Sequence, residues 1–512
     1  MSTTTIERTQ PVPTPAQTQA EGGRRSRQWL PYLLIVGLAA LFLIHASSYI
    51  TQPFGESHDG RNASVWGLAS RSVREDGVVK SHFGGQPVPG LEYATHPPLI
   101  IGETVAAELI GGEHHVVTRA PGWLGSLIAL VLMAALLRDL GLSRLATAVG
   151  ITVAFGSAMF FVYGTMLDTF DTCLPFSLAL LLVWQRARQG RPWHPAVLGA
   201  VSCLAVLAGW QSTTLLGMCG VVALYEASRR KFPVKHLVAM AIGGVVGLTV
   251  TLVWIRWVYG SFDLLVGQAN YRQSSTGLLS SISPQVRYLA SLLPLALPIG
   301  VVGLFVAAIR PATRTLALTT SAAVVGYALL FHGGASLHDY WNYSVLIPLA
   351  VGTACLADFC MTRVGDARKG HLTLALVAVP LLCLANTVAR PTWSELEIKN
   401  GRQVDQLVPA VNRLAPSQGP AFAWVFGSGE VPRWMVYETH HSGLLLASRR
   451  DLQDLGKDDP TFPVLLQLWD KDAATAARLR RSAIAEGGGQ LLVPAARAAQ
   501  ILNAWPWPAP PG

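Results

Sequence analysis

The stretch that decides the fold is WLPYLLIVGLAALFLIHASSYI, residues 29–50, followed by TQPFGESHDG at 51–60. An apolar run of this length can cross the hydrocarbon core of a bilayer as a helix. Arginines at 24, 25 and 27 precede it, as in a signal peptide, but the run is too long and has no small-residue cleavage site. We therefore interpret it as a retained transmembrane helix, after which the chain reaches an Asp between a His and a Gly.

The composition indicates a polytopic membrane protein. Of the 512 residues, 51% are hydrophobic and 13% are charged, and the mean hydropathy is +0.38. A soluble chain carries about 25% charged residues. The net charge of +9 is spread over short clusters between apolar runs, which does not favour nucleic-acid binding. The six cysteines lie in or beside apolar runs, so the sequence predicts neither a disulfide framework nor a cysteine metal site.

Eleven apolar runs are candidates for membrane spans. Two of them, 194–209 and 212–228, are almost continuous and form either a tight hairpin or one broken segment. The candidates are 29–50, 117–137, 145–163, 169–185, 194–209, 212–228, 236–258, 287–309, 315–331, 342–360 and 371–389.

The basic residues set the orientation of these spans. Alternate connections carry seventeen Lys or Arg residues, whereas the opposite short connections carry only Arg272 and Arg287. Basic connections stay on the cytoplasmic side. The sequence therefore predicts a cytoplasmic N-terminus, with residues 1–28 as a disordered polar tail, and a C-terminus outside.

Three polar regions then face outward: the first outer loop at 51–116, the connection at 259–287, and the C-terminal segment 390–512. Helical spacing over 62–75 and 97–109 predicts two interfacial helices in the first loop. In 390–512, helical stretches alternate with short apolar strands, which predicts a small extracytoplasmic α/β domain. The predicted fold is a membrane all-α bundle of about eleven transmembrane helices, spanning 29–389, with this domain attached.

Asp59 lies just before the first interfacial helix, next to His58. It is interpreted either as a helix N-cap or as a general base at the membrane surface. Further polar residues map to the same outer face, and each alone could be an interfacial anchor or a helix cap. Together they supply the cations and carboxylates that a phosphate leaving group and an attacking hydroxyl require; they are His96, Arg119, Asp168, Asp171, His338, Asp339 and Tyr340.

Other chemistries find little support in the sequence. Neither of the adjacent pairs His114-His115 and His440-His441 makes a good metal site, because neighbours on a helix point about 100° apart. A divalent metal is compatible with phosphate chemistry, but no motif indicates one. Phosphate-loop and dinucleotide motifs are missing, so an enzyme that uses ATP or a nucleotide sugar is not indicated.

Five stretches resemble, in order, landmarks of membrane GT-C glycosyltransferases. More narrowly, they resemble the bacterial branch related to protein O-mannosyltransferases and lipid A aminoarabinose transferases. The resemblance covers about 29–360. The stretches are HDGRNASVWGLASRSVREDG, ATHPPL, VTRAPGWLGSLIALVLMAALLRDLG, DTFDTCLPFSLALLL and HDYWNYSVLIPLA.

The resemblance implies a polyprenyl-phosphate sugar as donor and Asp59 as the catalytic carboxylate. His96 and Arg119 match polar positions near the lipid phosphate, and His338 with Tyr340 matches a second phosphate contact. His58, Asp168, Asp171 and Asp339 are supporting residues, of which Asp171 matches an Asp at the head of the fourth span. Relatives carry a second acid where this chain has Gly60, so the acceptor class does not follow from the resemblance.

The predicted activity is an inverting transfer of a sugar to a hydroxyl of an envelope glycan, glycolipid or protein, at the outer face of a bacterial plasma membrane. Asp59 would take the proton, while Arg119, His96 and His338 would stabilise the departing phosphate. Two alternatives stay open: a transporter or flippase of lipid-linked saccharide, and a non-catalytic envelope scaffold. Sugar transfer from a purified lipid donor distinguishes the enzyme from both.

Overall fold

The computed structural model describes residues 31–55, 57–87, 92–274, 277–389, 400–415, 419–425, 432–446, 448–467, 472–487 and 489–503. The tail predicted at 1–28 lies outside these residues.

Helices dominate the chain up to residue 389. In order they are α1 Tyr32–Ser47, α2 His58–Lys80, α3 Leu99–Gly111, α4 His115–Thr118, α5 Ala120–Asp139, α6 Arg144–Phe155, α7 Ala158–Tyr163, α8 Thr169–Thr172, α9 Leu174–Arg188, α10 Pro195–Ala208, α11 Trp210–Ser228, α12 Val234–Tyr259, α13 Asp263–Ser274, α14 Leu278–Leu292, α15 Ala296–Ile309, α16 Pro311–Leu330, α17 His332–Leu337, a 3₁₀ helix Asp339–Val345, α18 Leu346–Arg363 and α19 Asp366–Val388. The two helices predicted in the first outer loop are present as α2 and α3.

Four helices in the described part of the chain are long and apolar enough to cross a membrane: Ala120–Asp139, Val234–Tyr259, Asp339–Arg363 and Arg368–Val388. The pair α14 and α15 would be a fifth span, but it is bent by 102°. The protein is thus mostly helical with spanning helices, as predicted, whereas the count of eleven spans is not confirmed.

Helix-breaking residues inside two of the apolar runs account for part of the difference in span number. The run 145–163 divides into α6 and α7 at Gly156, and the bend between α14 and α15 contains Pro294. Proline and glycine interrupt a helix without making its sequence less apolar. Hydropathy therefore predicts longer helices than the structure has.

Close contacts between glycines align the helices of the bundle. A Cβ at Gly243 would lie 1.9 Å from the carbonyl oxygen of Gly199, and one at Gly247 would lie 2.7 Å from that of Cys203. Both contacts move four residues towards the C-terminus on each helix, from 199 to 203 and from 243 to 247, so α10 and α12 run parallel. The helix that connects them, α11, must therefore run in the opposite direction. The region 194–228 is therefore a hairpin that turns at Gly209. Small residues four apart allow such close approach of membrane helices.

The C-terminal part contains a five-stranded sheet, which agrees with the predicted α/β pattern. The strands are β1 Phe422–Val425, β2 Gly443–Leu446, β3 Pro463–Gln467, β4 Ala485–Gly487 and β5 Gln490–Pro494, and the helices are α20 Asn400–Leu414, α21 Arg433–Thr439, α22 Arg449–Asp458, α23 Ala473–Arg480 and α24 Ala495–Ile501. The strand order is β2-β1-β3-β5-β4. Strand β1 pairs parallel with β2 and β3, and β5 pairs antiparallel with β3 and β4.

Helix α21 packs against α2 and fixes the C-terminal part on the first outer loop. Arg71 donates to the carbonyl oxygen of Tyr437 at 2.9 Å and is 7% exposed. The backbone N–H of Phe54 donates to Glu438 at 2.6 Å. A Cβ at Gly67 would lie 2.6 Å from the Tyr437 ring, so only glycine fits beneath that ring. These buried contacts hold α21 beside the helix that begins near Asp59.

Candidate active site

Asp59 lies in the first turn of α2, and its predicted role as N-cap is taken by another residue. The hydroxyl of Ser57 caps the helix by accepting from the N–H of Gly60 at 3.0 Å. A carboxylate in the first turn is still favoured by the positive end of the helix. Asp59 therefore does not cap the helix, and its carboxylate oxygens can interact with other groups.

Arg119 holds the Asp59 carboxylate. Its Nε and one terminal nitrogen donate to Asp59 Oδ2 at 2.9 and 2.7 Å, and its other terminal nitrogen donates to the carbonyl oxygen of Gln52 at 2.7 Å. The guanidinium lies 4.4 Å from the centre of the Phe54 ring, and Arg119 is 0% exposed. Asp59 Oδ1 is buried and has no hydrogen-bond partner among the described residues. Arg119 thus orients one oxygen of Asp59 and leaves the other open.

A polar cavity of about 380 Å³ lies one turn further along α2. It combines side chains from the first outer loop, the outer ends of the helices, and α21. The lining residues are Arg61, Asn62, Ser64, Val65, Tyr93, His96, Asp168, Phe170, Arg272, His338, Tyr340, Trp341 and Arg433. Four of the predicted site residues therefore meet here, namely His96, Asp168, His338 and Tyr340. Arg119 is not among the lining residues, because it is fully buried against the partly exposed Asp59.

Arg272 also lines the cavity, and it is a cation that the sequence analysis did not assign to the site. Its guanidinium donates toward His96 Nε2 at 3.3 Å and lies 5.1 Å from the centre of the Trp341 ring. Burial, and then the nearby Arg272, hold the pKa of His96 well below its usual value. His96 is therefore a neutral acceptor that positions Arg272.

Asp168 is the carboxylate that lines the cavity. One oxygen accepts from Asn62 at 2.7 Å, and the other accepts from the N–H and the hydroxyl of Thr169. Burial raises the pKa of Asp168, and the hydrogen bonds from Thr169 offset part of this effect. The resulting pKa is about 6. Asp171 is buried behind it and accepts from the Asp168 N–H at 3.1 Å. Both oxygens of Asp168 are thus hydrogen-bonded, unlike those of Asp59.

The rings of His338 and Tyr340 also line the cavity. The ring centres of His338 and Tyr340 are 5.3 Å apart, and His58 lies 5.8 Å from His338 and 5.7 Å from Tyr340. Asp339 begins the 3₁₀ helix and does not line the cavity. The structure therefore brings His58, His338 and Tyr340 together and leaves Asp339 beside them.

Two further spaces adjoin Arg272. One is an apolar slot of about 200 Å³, whose walls include Trp210, Tyr327 and Phe331. The other is a polar cavity of about 590 Å³ that shares Tyr93, Arg272 and Arg433 with the first. Arg272 thus stands where an apolar slot and two polar cavities meet. Within the described ranges, no three His, Cys, Asp or Glu side chains group closely enough to hold a metal ion.

Sequence reasoning missed Tyr93, Arg272 and Arg433 as site residues. Only Arg272 carried a usable signal, since it was one of two basic residues in the short outward connections. A cation on the side that basic residues avoid has a reason to be there. Nothing in the sequence pattern indicated that Tyr93 or Arg433 would reach the same cavity.

Comparison with solved structures identifies the fold. ArnT from Cupriavidus metallidurans bound to undecaprenyl phosphate matches with a TM-score of 0.62 at 14% identity, over 94% of this chain and 100% of that chain. The oligosaccharyltransferase AglB from Archaeoglobus fulgidus, in complex with an inhibitory peptide and a dolichol-phosphate, matches with a TM-score of 0.52 at 11% identity, over 88% and 71%. Both are GT-C glycosyltransferases, and this chain shares their fold. No protein-family model and no curated protein sequence matches the chain.

Proposed function

We propose that this protein is an inverting glycosyltransferase that moves a sugar from a polyprenyl-phosphate donor to a hydroxyl acceptor on the outer face of a bacterial plasma membrane. The N-terminus would be cytoplasmic and the C-terminal domain extracytoplasmic. The shared fold supports the proposal, because its neighbours were determined with undecaprenyl phosphate and with a dolichol-phosphate.

The observation that carries the proposal is the position of Arg272. A polyprenyl phosphate has an anionic head and an apolar chain, and Arg272 stands between a polar cavity and an apolar slot. The phosphate would bind the guanidinium, with its first isoprene units between Trp210 and Phe331. Arginine suits this role because its planar fork binds phosphate oxygens in pairs.

The other residues take roles that follow from their contacts. His96 positions Arg272 by accepting from it, and His338 and Tyr340, beside His58, offer further polar groups to the phosphate or the sugar. Asp168 fixes the Asn62 amide at the cavity wall. In this assignment Arg119 contacts the catalytic carboxylate instead of the donor phosphate that the sequence analysis gave it.

Asp59 is proposed as the general base through Oδ1, the oxygen that accepts no hydrogen bond from the described residues. The acceptor hydroxyl gives its proton to Oδ1 as its oxygen attacks the anomeric carbon from one face. The bond between that carbon and the phosphate oxygen breaks on the opposite face, and the electron pair leaves with the phosphate, which inverts the configuration. Arg272 stabilises the negative charge that develops on the phosphate. The leaving phosphate already carries its lipid, so no nucleotide takes part.

Donor turnover by the purified protein in detergent tests the proposal. The protein is incubated with a panel of radiolabelled polyprenyl-phosphate sugars and a crude envelope fraction, with Asp59→Asn beside the wild type. Label that reaches the acceptor fraction with the wild type alone would support both the activity and the base. A flippase or a scaffold predicts no transfer by either protein. Equal transfer by both would retain the activity and remove Asp59 from it.

A further inference from the structure

The second polar cavity, of about 590 Å³, shares a wall with the first. Tyr93, Arg272 and Arg433 line both cavities. Tyr93 belongs to the first outer loop, Arg272 to α13, and Arg433 to α21 of the C-terminal part. The C-terminal part therefore contributes a side chain directly to the space beside the proposed donor site.

The remaining walls of this cavity offer groups of mixed polarity. Gln86 and Gln268 bring amides, Glu92 brings a carboxylate, and Tyr259 brings an aromatic ring whose hydroxyl accepts from the N–H of Ala94 at 2.6 Å. Amides, a carboxylate and a guanidinium match the alternating donors and acceptors of sugar hydroxyls. The volume lies in the range of small-ligand sites and can admit one or two sugar rings.

We propose that this cavity binds the acceptor, that the acceptor is a carbohydrate, and that Arg433 is an acceptor-binding residue. The proposal rests on the glycosyltransferase function proposed above. It also narrows the acceptor class, since that function left open whether a glycan, a glycolipid or a protein receives the sugar.

The architecture of the cavity favours a carbohydrate over a peptide. Extended peptides commonly bind by adding a strand to an exposed sheet edge. The described lining residues of this cavity lie on helices α12, α13 and α21 and on the loop after α2, and none lies on a strand. Recognition must therefore come from side chains, and those present suit hydroxyl groups.

Arg433 is held firmly enough to select a ligand. Its guanidinium lies 5.4 Å from the centre of the Tyr93 ring. The next residues along α21, Trp434 and Met435, are 0% exposed, so the base of the Arg433 side chain cannot shift easily. With the donor phosphate on Arg272, Arg433 is the other cation that lines the second cavity. It can thus donate to an acceptor placed beside the anomeric carbon.

The test measures transfer with the full-length protein in detergent, varying donor and acceptor separately. The acceptors are the polysaccharide, glycolipid and protein fractions of one envelope preparation, and each product is treated with periodate and with protease. The variants are Arg433→Gln and Gln86→Ala, which alter the cavity from α21 and from the loop after α2; Gln86 lines neither the first cavity nor the apolar slot. The matched control is Arg481→Gln, which removes the same charge from an exposed position of the C-terminal part.

We expect label in the polysaccharide or glycolipid fraction, sensitive to periodate and resistant to protease. Arg433→Gln should raise the KM for that acceptor about tenfold or more, the loss expected for one charged hydrogen bond. Because Arg433 also lines the first cavity, the KM for the acceptor should rise more than the KM for the donor, and the melting temperature should stay at the wild-type value. Gln86→Ala should raise the KM for the same acceptor, and Arg481→Gln should change neither KM.

Label in a protease-sensitive product would overturn the carbohydrate assignment. An unchanged acceptor KM in both cavity variants would overturn the assignment of the cavity. Either result leaves the glycosyltransferase function standing. If the wild type binds no undecaprenyl phosphate and transfers nothing from any donor, the proposed function fails, and this inference fails with it.

Discussion

Replacing Arg272 tests whether the proposed phosphate site is correct. The guanidinium lies 3.3 Å from His96 Nε2 and 5.1 Å from the centre of the Trp341 ring, and it forms no ion pair within 4 Å of a described carboxylate. Its charge is therefore not neutralised in the way that Asp59 neutralises Arg119. Arg272→Gln removes this charge and keeps a polar side chain of similar reach.

The expected loss follows from the interaction removed. A unit charge about 4 Å from a phosphate oxygen contributes about 4 kcal/mol at the effective dielectric constant of a site near a protein surface. Deleting one preorganised donor to a developing oxyanion costs roughly 3–4 kcal/mol. Arg272→Gln should thus lower kcat/KM by about 10²- to 10³-fold. Arg272→Lys keeps the charge but loses the planar fork, so its activity should lie between that of the wild type and that of Arg272→Gln.

The assay is the initial rate of sugar transfer from a radiolabelled polyprenyl-phosphate donor. Arg287→Gln is the matched control, because Arg287 is the other basic residue of the short outward connections and is exposed. That variant should stay within twofold of the wild type. Activity of a folded Arg272→Gln protein within threefold of the wild type would refute the assignment, and so would an equal loss in the control.

Four further changes test the structure more widely. Asp59→Asn should lower turnover by about 10²-fold or more with the Kd for undecaprenyl phosphate nearly unchanged, because the amide keeps the shape but accepts no proton; comparable turnover would exclude the base. Arg119→Gln should destabilise the fold by roughly 3–5 kcal/mol, since it leaves the Asp59 carboxylate without its ion pair; an unchanged unfolding midpoint in detergent would contradict this. Gly243→Leu should lower the melting temperature strongly, because its Cβ would lie 1.9 Å from a carbonyl oxygen, whereas Gly326→Leu, which has open space, is the control. The raised pKa of Asp168, about 6, means that the folded protein holds this proton more tightly than the unfolded chain; stability should therefore fall as pH rises from about 4 to about 6, and Asp168→Asn should make that slope shallower.

Periodic patterns predicted much of the fold. The helical spacing after Asp59 corresponds to helix His58–Lys80, and the short apolar strands after residue 420 correspond to four strands of the sheet. The fifth strand, Ala485–Gly487, escaped prediction because it has three residues and no alternating pattern. Span number was harder to predict, because hydropathy measures how apolar a run is and not where its helix breaks.

The site was predicted only in part, because a sequence assigns residues to a side of the membrane but not to a depth or a direction. Arg119 and Arg272 both mapped to the outer side. Packing encloses Arg119 with Asp59 at 2.7 Å, while Arg272 lines the cavity. The neutral state of His96 is likewise a consequence of burial, which no local sequence pattern reveals.

The docking of helix α21 on the first outer loop has a consequence for how the protein is made. Arg71 and Tyr437 are 366 positions apart in the chain, yet their contact places Arg433 at the cavity wall. On the ribosome, the early helices therefore enter the membrane while that wall is still incomplete. Contacts between such distant positions form late in folding. A chain that ends before α21 would therefore lack one wall of the proposed donor site.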